Sequence, residues 1–455
     1  MTALFLGADR AGAFELQAHH LVTHGVILGM TGSGKTGLLT VMVEEALRNE
    51  IPVLMVDVKG DLPNLLLTLP QFTAEELAPW LEMPRGASRE EQRQLAEARL
   101  EARRSSLAQW GITPSGIQNY DAAIDVRVIT PGTSAGELLH VLSSLERRSP
   151  RWDDDVESAR ATLSAAISLV LRLVGREGDP AKSREHVLLA VLAERRLINK
   201  QTADIEALLG DLEHAPIEKI GALPLDRFIS KKARRELAAA LNTLLASPTF
   251  ASWREGATLD LAAWMSRRDG RTPATIVSVA HLDDEERELV LGVLLEEVLS
   301  WVRGLPGSQS LQALVVFDEV YGFLPPYPAS PATKKPLVSL MKQARAFGVG
   351  VVLATQNPMD LDYRALSNAG LWCIGRLQTD ADRARVVEGM QLAQGSDEQD
   401  YNALLRQLQP RTFVVRNAHS PGPPTIIQPR FALSLLRGPM TRQELRRARE
   451  SRATR

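Results

Sequence analysis

The sequence of 455 residues has a single cysteine, Cys373. No disulfide framework and no thiolate metal site can be assembled within such a chain, a composition that suits a reducing cytosol. Cys373 itself reads as a packed strand residue. No apolar run approaches the roughly 20 residues that a membrane-spanning helix requires. The opening MTALFLGADRAG has neither a positive start nor a long apolar centre, so it does not read as a signal peptide. A surplus of charge is missing too: 53 Lys and Arg face 55 Asp and Glu, a formal net charge of −2. The chain as a whole is no nucleic-acid magnet, and any such contact must come from local patches or from a ring that concentrates them. No internal repeat at a fixed period is present, which argues against a solenoid. The expectation is a soluble cytoplasmic protein with no membrane partner.

What is present is a large apolar fraction, 44% of residues, enough to bury the core of one large α/β domain or two smaller ones. Thr23–Gly29 reads as a short strand, Gly37–Asn49 as a helix with apolar residues at helical spacing, and Ile51–Val58 as a strand buried on both faces. Glu90–Arg104 is a highly charged, exposed helix. Ile124–Thr130 alternates and reads as a strand, but most of 135–265 is helical, with apolar faces over Ala159–Val174 and Ala233–Leu245. Strands resume at Thr275–Ala280, Leu311–Phe317, Gly350–Thr355, Trp372–Gly375 and Thr412–Arg416. Asp283–Val302 reads as a helix opened by acids, the proline-rich Tyr321–Pro336 as a loop and Leu337–Phe347 as a helix. Alternating β and α predicts a mainly parallel, doubly wound sheet flanked by helices. The division expected is 1–70 for the first part of the core, 71–265 for a mainly helical insertion with one strand, 266–436 for the second part of the core, and 437–455 for a basic tail. That tail reads chiefly as a solvated amphipathic helix, with a nucleic-acid contact as the second option.

Gly29-Met-Thr-Gly-Ser-Gly34-Lys35-Thr36 matches G-x-x-x-x-G-K-[ST] in full and sits between a strand and a helix. Glycines let the backbone curl so that successive N–H groups face one anion, and the helix N-terminus adds partial positive charge. Lys35 is expected to bridge the β- and γ-phosphates of ATP, and the Thr36 hydroxyl to ligate Mg²⁺. Gly29, Thr31, Gly32, Ser33, Gly34, Lys35, Thr36 and Gly37 are the candidate nucleotide-binding residues. Leu314-Val-Val-Phe-Asp318-Glu319 carries two acids to a strand end, where ligands bind in such sheets. Asp318 is the second candidate Mg²⁺ ligand, and Glu319 is placed to orient the attacking water. Gln356, ending the next strand, is a candidate γ-phosphate sensor, or a turn residue before Asn357-Pro358. Asp57 lies at the same sheet edge and reads as a loop cap in preference to a pocket residue. His19, His20 and His24 cluster without acidic or thiol partners at ligand spacing, so they do not read as a metal site. Asp153–Asp155 reads as a helix start. Lys334-Lys335 and Lys231-Lys-Ala-Arg-Arg235 are the candidate basic groups for a phosphate backbone, or ordinary solvated charge.

GMTGSGKT, DVKGD, LVVFDE, KQARAFGVGVVLATQNP, DYRALSNAG and GRLQTDADRARVVEG occur in that order. Together they resemble the HerA/FtsK superfamily of P-loop ATPases, over about 20–62 and 270–432. The resemblance implies a RecA-like core, a homohexameric ring, ATP hydrolysis between subunits and passage of DNA through the ring. It also implies an arginine finger in the helix before the sensor strand, which here is Arg345; Arg376 is the second candidate. Arg345 should lie at the sheet edge away from its own phosphate loop, which suits action on a neighbour. HerA proteins carry an N-terminal β-barrel, and about 22 residues before the first strand leave no room for one. Docking to a barrel-dependent nuclease is therefore not expected, although a nuclease or other effector partner could bind elsewhere. The alternatives are an ATP-dependent regulatory scaffold and a conjugation- or secretion-type pump.

Overall fold

The strands owe their place to apolar residues on both faces. In Val53–Asp57, Leu54 and Val56 enter one buried cluster and Val53 and Met55 the other. Ile27 opposes Val26 and Leu28 in the same way, and Leu314 and Val316 oppose Val315 and Phe317. Strands covered on both sides form parallel sheets between helical layers. The computed structural model has that architecture. It describes residues 2–454 except 84, 85, 87, 147, 360, 395–400 and 421, and leaves the side chains of 249, 390–394 and 402 undescribed.

One sheet of eleven strands dominates. In chain order these are β1 Ala3–Asp9, β2 Gly12–Gln17, β3 Gly25–Leu28, β4 Val53–Asp57, β5 Ile124–Ile129 and β6 Thr272–Ser278, then β7 Ser308–Asp318, β8 Phe347–Thr355, β9 Leu371–Ile374, β10 Phe413–Asn417 and β11 Thr425–Pro429. Their spatial order is β2-β1-β11-β10-β9-β3-β8-β7-β4-β6-β5. From β9 to β5 every neighbouring pair is parallel. From β9 out to β2 every pair is antiparallel. The mainly parallel α/β sheet expected from the sequence is therefore present, with an antiparallel wing that was not. Helix Lys35–Arg48 covers one face. Helix Asp284–Arg303 covers the other and packs on Val156–Leu173 of the helical stretch between β5 and β6. Asp283 and Glu286 cap its start reciprocally, which is why the acids sit there. Among the described residues no helix is long and apolar enough to cross a membrane.

Several expectations need correction. The first strand is not near Thr23: residues 18–23 form a 3₁₀ turn, and a hairpin, β1–β2, precedes it. Asp9 builds its turn by accepting the Ala11 and Gly12 N–H groups through Oδ1, at 2.7 and 3.1 Å. Gly7 must be glycine, because a Cβ there would meet the Gln428 carbonyl of β11 at 2.1 Å. The helix after the proline-rich loop starts at Lys334, not Leu337, and Arg345 lies in the 3₁₀ turn Ala344–Ala346 that follows it. The C-terminal segment is not a solvated tail. Helix Arg442–Ala453 buries Leu445 and Ala448, and its arginines are used as fasteners. Arg452 pairs with Asp121 at 2.6 Å, Arg447 lies 4.2 Å over the Trp80 ring, and Arg446 reaches the Ser134 hydroxyl.

Candidate active site

Three strand ends and one loop meet at the C-terminal edge of the sheet. The loop leaves β3 at Gly29, where a Cβ would strike the Ser33 hydroxyl at 2.4 Å. Gly32 and Gly34 adopt positive φ of 78° and 93°, and Gly34 caps helix Lys35–Arg48. The curl is tied down from both sides: Gly29 N–H donates to the Thr355 carbonyl of β8, and Met30 N–H to the Arg376 carbonyl.

The charges at this edge are paired with one another. Lys35 Nζ lies 2.6 Å from Asp318 Oδ1, with both side chains buried. Asp318 Oδ2 and Ser33 Oγ are buried without hydrogen-bond partners. An orphaned carboxylate oxygen next to the first turn of the loop helix, where Thr36 stands, fits a divalent cation; an unpaired hydroxyl in a ring of backbone N–H groups fits a phosphate. Glu319 follows on the same strand end with φ of 67°. Its Oε1 accepts from Thr355 Oγ1 at 2.5 Å and Gln356 N–H at 3.1 Å, and its Oε2 lies 2.5 Å from Lys59 Nζ. Burial pushes its carboxyl up, yet Lys35, Lys59 and the Thr355 hydroxyl outweigh that and hold it below the usual glutamate range. The Gln356 side chain accepts from Thr31 Oγ1 at 2.8 Å, linking the sensor strand to the phosphate loop.

Asp57, in register with Asp318 on the neighbouring strand, is fully buried. Its Oδ1 accepts Gly60 and Leu62 N–H, and its Oδ2 accepts the Ser278 hydroxyl at 2.6 Å, the role of a cap. Burial, with Asp318 nearby, raises it to about 6. Lys59, in the loop that those bonds hold, was given no role by sequence reasoning, although it stands within the DVKGD motif. Arg411 was missed as well. It has no motif, and its N–H donates to the Ser33 carbonyl from 378 residues away in sequence.

The two candidate arginines are far apart in the fold. Arg376 is exposed beside its own phosphate loop. Arg345 is exposed at the start of β8, the opposite sheet edge. His24 is buried there, accepting Val351 N–H through Nδ1, and burial first, then Arg345, pull its ring down to about 4. His20 stacks on His419 and His19 meets both rings edge-on, in a small cluster on the same side. Of the basic candidates, Lys334 is engaged by Asp362 at 3.2 Å, and Arg234 is buried against Asp226. Lys231, Lys232 and Arg235 are exposed.

Residues 6–73, from β1 through the phosphate loop and past β4, match the family model described as helicase HerA-like C-terminal. The chain is also similar in structure to VirB4 of Thermoanaerobacter pseudethanolicus, with a TM-score of 0.52 and 14% identity over 94% of this chain and 96% of that one. The resemblance to HerA/FtsK-type P-loop ATPases is borne out. The RecA-like fold is shared with the plasmid coupling protein TrwB, at TM-scores of 0.51 and 0.50, 13% and 14% identity, and 97% and 93% coverage of the two chains. Those TrwB structures hold the ATP analogue ADPNP in one case and ADP with Mg²⁺ in the other. No curated protein sequence matches.

Proposed function

We propose that the chain is an ATP-hydrolysing motor of the HerA/FtsK type, working as a homo-oligomeric ring, a hexamer, that moves on DNA. One observation supports the ATPase reading: at one sheet edge the loop lysine Lys35 pairs with the strand-end acid Asp318, Glu319 accepts the Gln356 backbone N–H, and the Gln356 side chain accepts the Thr31 hydroxyl of the loop. Thr36 and Asp318 would hold Mg²⁺, which neutralises charge on the triphosphate when bound. Lys35 leaves Asp318 for the β- and γ-phosphates. Glu319 orients the attacking water and takes up its proton, held in place by the Thr355 hydroxyl and the Gln356 N–H. Gln356 couples the loop to the sensor strand through Thr31. Arg345, exposed at the far sheet edge, suits supply in trans to the nucleotide of a neighbouring copy.

The full-length likeness to TrwB, called a bacterial conjugative coupling protein, supports a second reading. It extends across the helical stretch that the HerA-like match does not reach. That reading is a conjugation- or secretion-type pump. The test is the phosphate-release rate, with and without duplex DNA, on protein of measured oligomeric mass. Stimulation by DNA that weakens with salt supports the motor. Turnover indifferent to DNA supports the second reading, and no turnover removes both.

A further inference from the structure

The phosphate loop accounts for the triphosphate end of a nucleotide, and its sensor side is closed by the Lys35–Asp318, Lys59–Glu319 and Thr31–Gln356 contacts. The other side opens into a cavity of about 700 Å³ that is lined by Gly34, Gly37 and Leu38 of the loop and its helix. We propose that this cavity receives the purine and ribose of the nucleotide. The base would lie against the Arg411–Phe431 pair, under a roof formed by helix Arg89–Ala108 of the insertion. The proposal rests on the ATPase reading above and specifies how the other half of the ligand is held.

Three features favour a nucleoside. The first is the platform. The Arg411 guanidinium lies 3.8 Å from the centre of the Phe431 ring, while its backbone N–H is bonded to the Ser33 carbonyl at 2.9 Å. A Cβ on Gly34 would meet Arg411 Cγ at 3.1 Å, so this flat cation–aromatic pair abuts the loop directly. Arginine planes and aromatic rings are the surfaces on which bases stack. The second is the character of the wall. Trp80, Leu81 and Leu95 make it apolar, whereas Ser434 Oγ and the Nε atoms of Arg103 and Arg430 are buried without hydrogen-bond partners. An apolar cavity with a few unsatisfied polar groups is what a base with ring nitrogens requires, and the volume lies within the ~300–1,000 Å³ typical of small-molecule sites. The third is the roof. Leu95, Arg99, Ala102, Arg103 and Ser106 recur at helical spacing on one face of helix Arg89–Ala108, and all five line the cavity. The charged helix of the insertion thus becomes a wall of the nucleotide site.

The test compares ATP with inorganic tripolyphosphate, each with Mg²⁺, by titration calorimetry on the full chain. Wild type should bind ATP ~10–100-fold more tightly than tripolyphosphate, the range that stacking of one base supplies. Ala102→Trp fills the cavity from an exposed helix position, and Phe431→Leu removes the aromatic half of the platform. Each should lose most of the preference for ATP while keeping wild-type affinity for tripolyphosphate, which also reports that the loop is folded. The proposal is overturned if wild type binds the two equally, or if both variants keep the preference. A wild type that binds neither overturns this proposal together with the ATPase reading.

Discussion

Lys35→Met should cost stability even before any nucleotide is added. Lys35 and Asp318 are 3% and 0% exposed and 2.6 Å apart. Asp318 Oδ2 has no other partner, and Asp57, another fully buried carboxyl, stands in register on the next strand. Removing the ammonium leaves a buried carboxylate unpaired beside a second one. Breaking a buried ion pair from one side costs about 3–5 kcal/mol. Converting Asp318 to asparagine in the same chain removes the stranded charge, so Lys35→Met/Asp318→Asn should recover most of that loss. Urea unfolding without nucleotide measures it: m grows with chain length, so the single variant should unfold about 1 M earlier than wild type, and the double variant close to wild type. The pairing is refuted if Lys35→Met matches wild type, or if the double variant is no more stable than the single one.

Other outcomes follow from the same contacts. Lys59→Met should move the acid limb of the phosphate-release pH profile upward, because the Glu319 carboxyl loses one of the groups holding it down; an unmoved limb contradicts the contact. Arg430→Ala should lower stability by about 3–5 kcal/mol, since it strands Glu44 and Glu45, which Arg430 meets at 3.0 and 2.9 Å inside the core. A melting temperature equal to wild type would rule that out. His24 is drawn below its usual 6.5 to about 4, first by burial. The unfolded chain therefore binds its proton more tightly, and the stability that His24 contributes is present above about pH 6.5 and lost as pH falls toward 4, up to about 3 kcal/mol. His24→Asn keeps an acceptor for the Val351 N–H and should lose less stability than wild type between pH 7 and 5. Equal losses in thermal melts would count against it.

The candidate site was legible where its geometry is written in adjacent residues. Gly29 to Thr36 must be contiguous to curl around an anion, and Leu314 to Glu319 must be contiguous to carry acids to a strand end. The parallel core was legible too, because strands such as Val53–Asp57 are apolar throughout. What escaped depends on contacts between distant segments. The antiparallel wing includes β1, interrupted by Gly7, which joins the sheet only by pairing with β11 across more than 400 residues. The arginines of Arg442–Ala453 looked solvated because their partners, Asp121, Ser134 and the Trp80 ring, lie hundreds of residues away. Arg430, which no motif marks, is a core ion. Lys59 and Arg411 gain meaning only when the fold brings them to Glu319 and Ser33.

Nucleotide binding and phosphate release by the Glu319→Gln chain, beside wild type and Lys35→Ala, probe the edge of the sheet most directly. With MgATP, wild type should release phosphate, Glu319→Gln should hold ATP without releasing it, and Lys35→Ala should fail to bind. Phosphate release at the wild-type rate by both variants, or no affinity of the wild-type chain for any nucleoside triphosphate, would contradict the assignment of Lys35, Asp318 and Glu319.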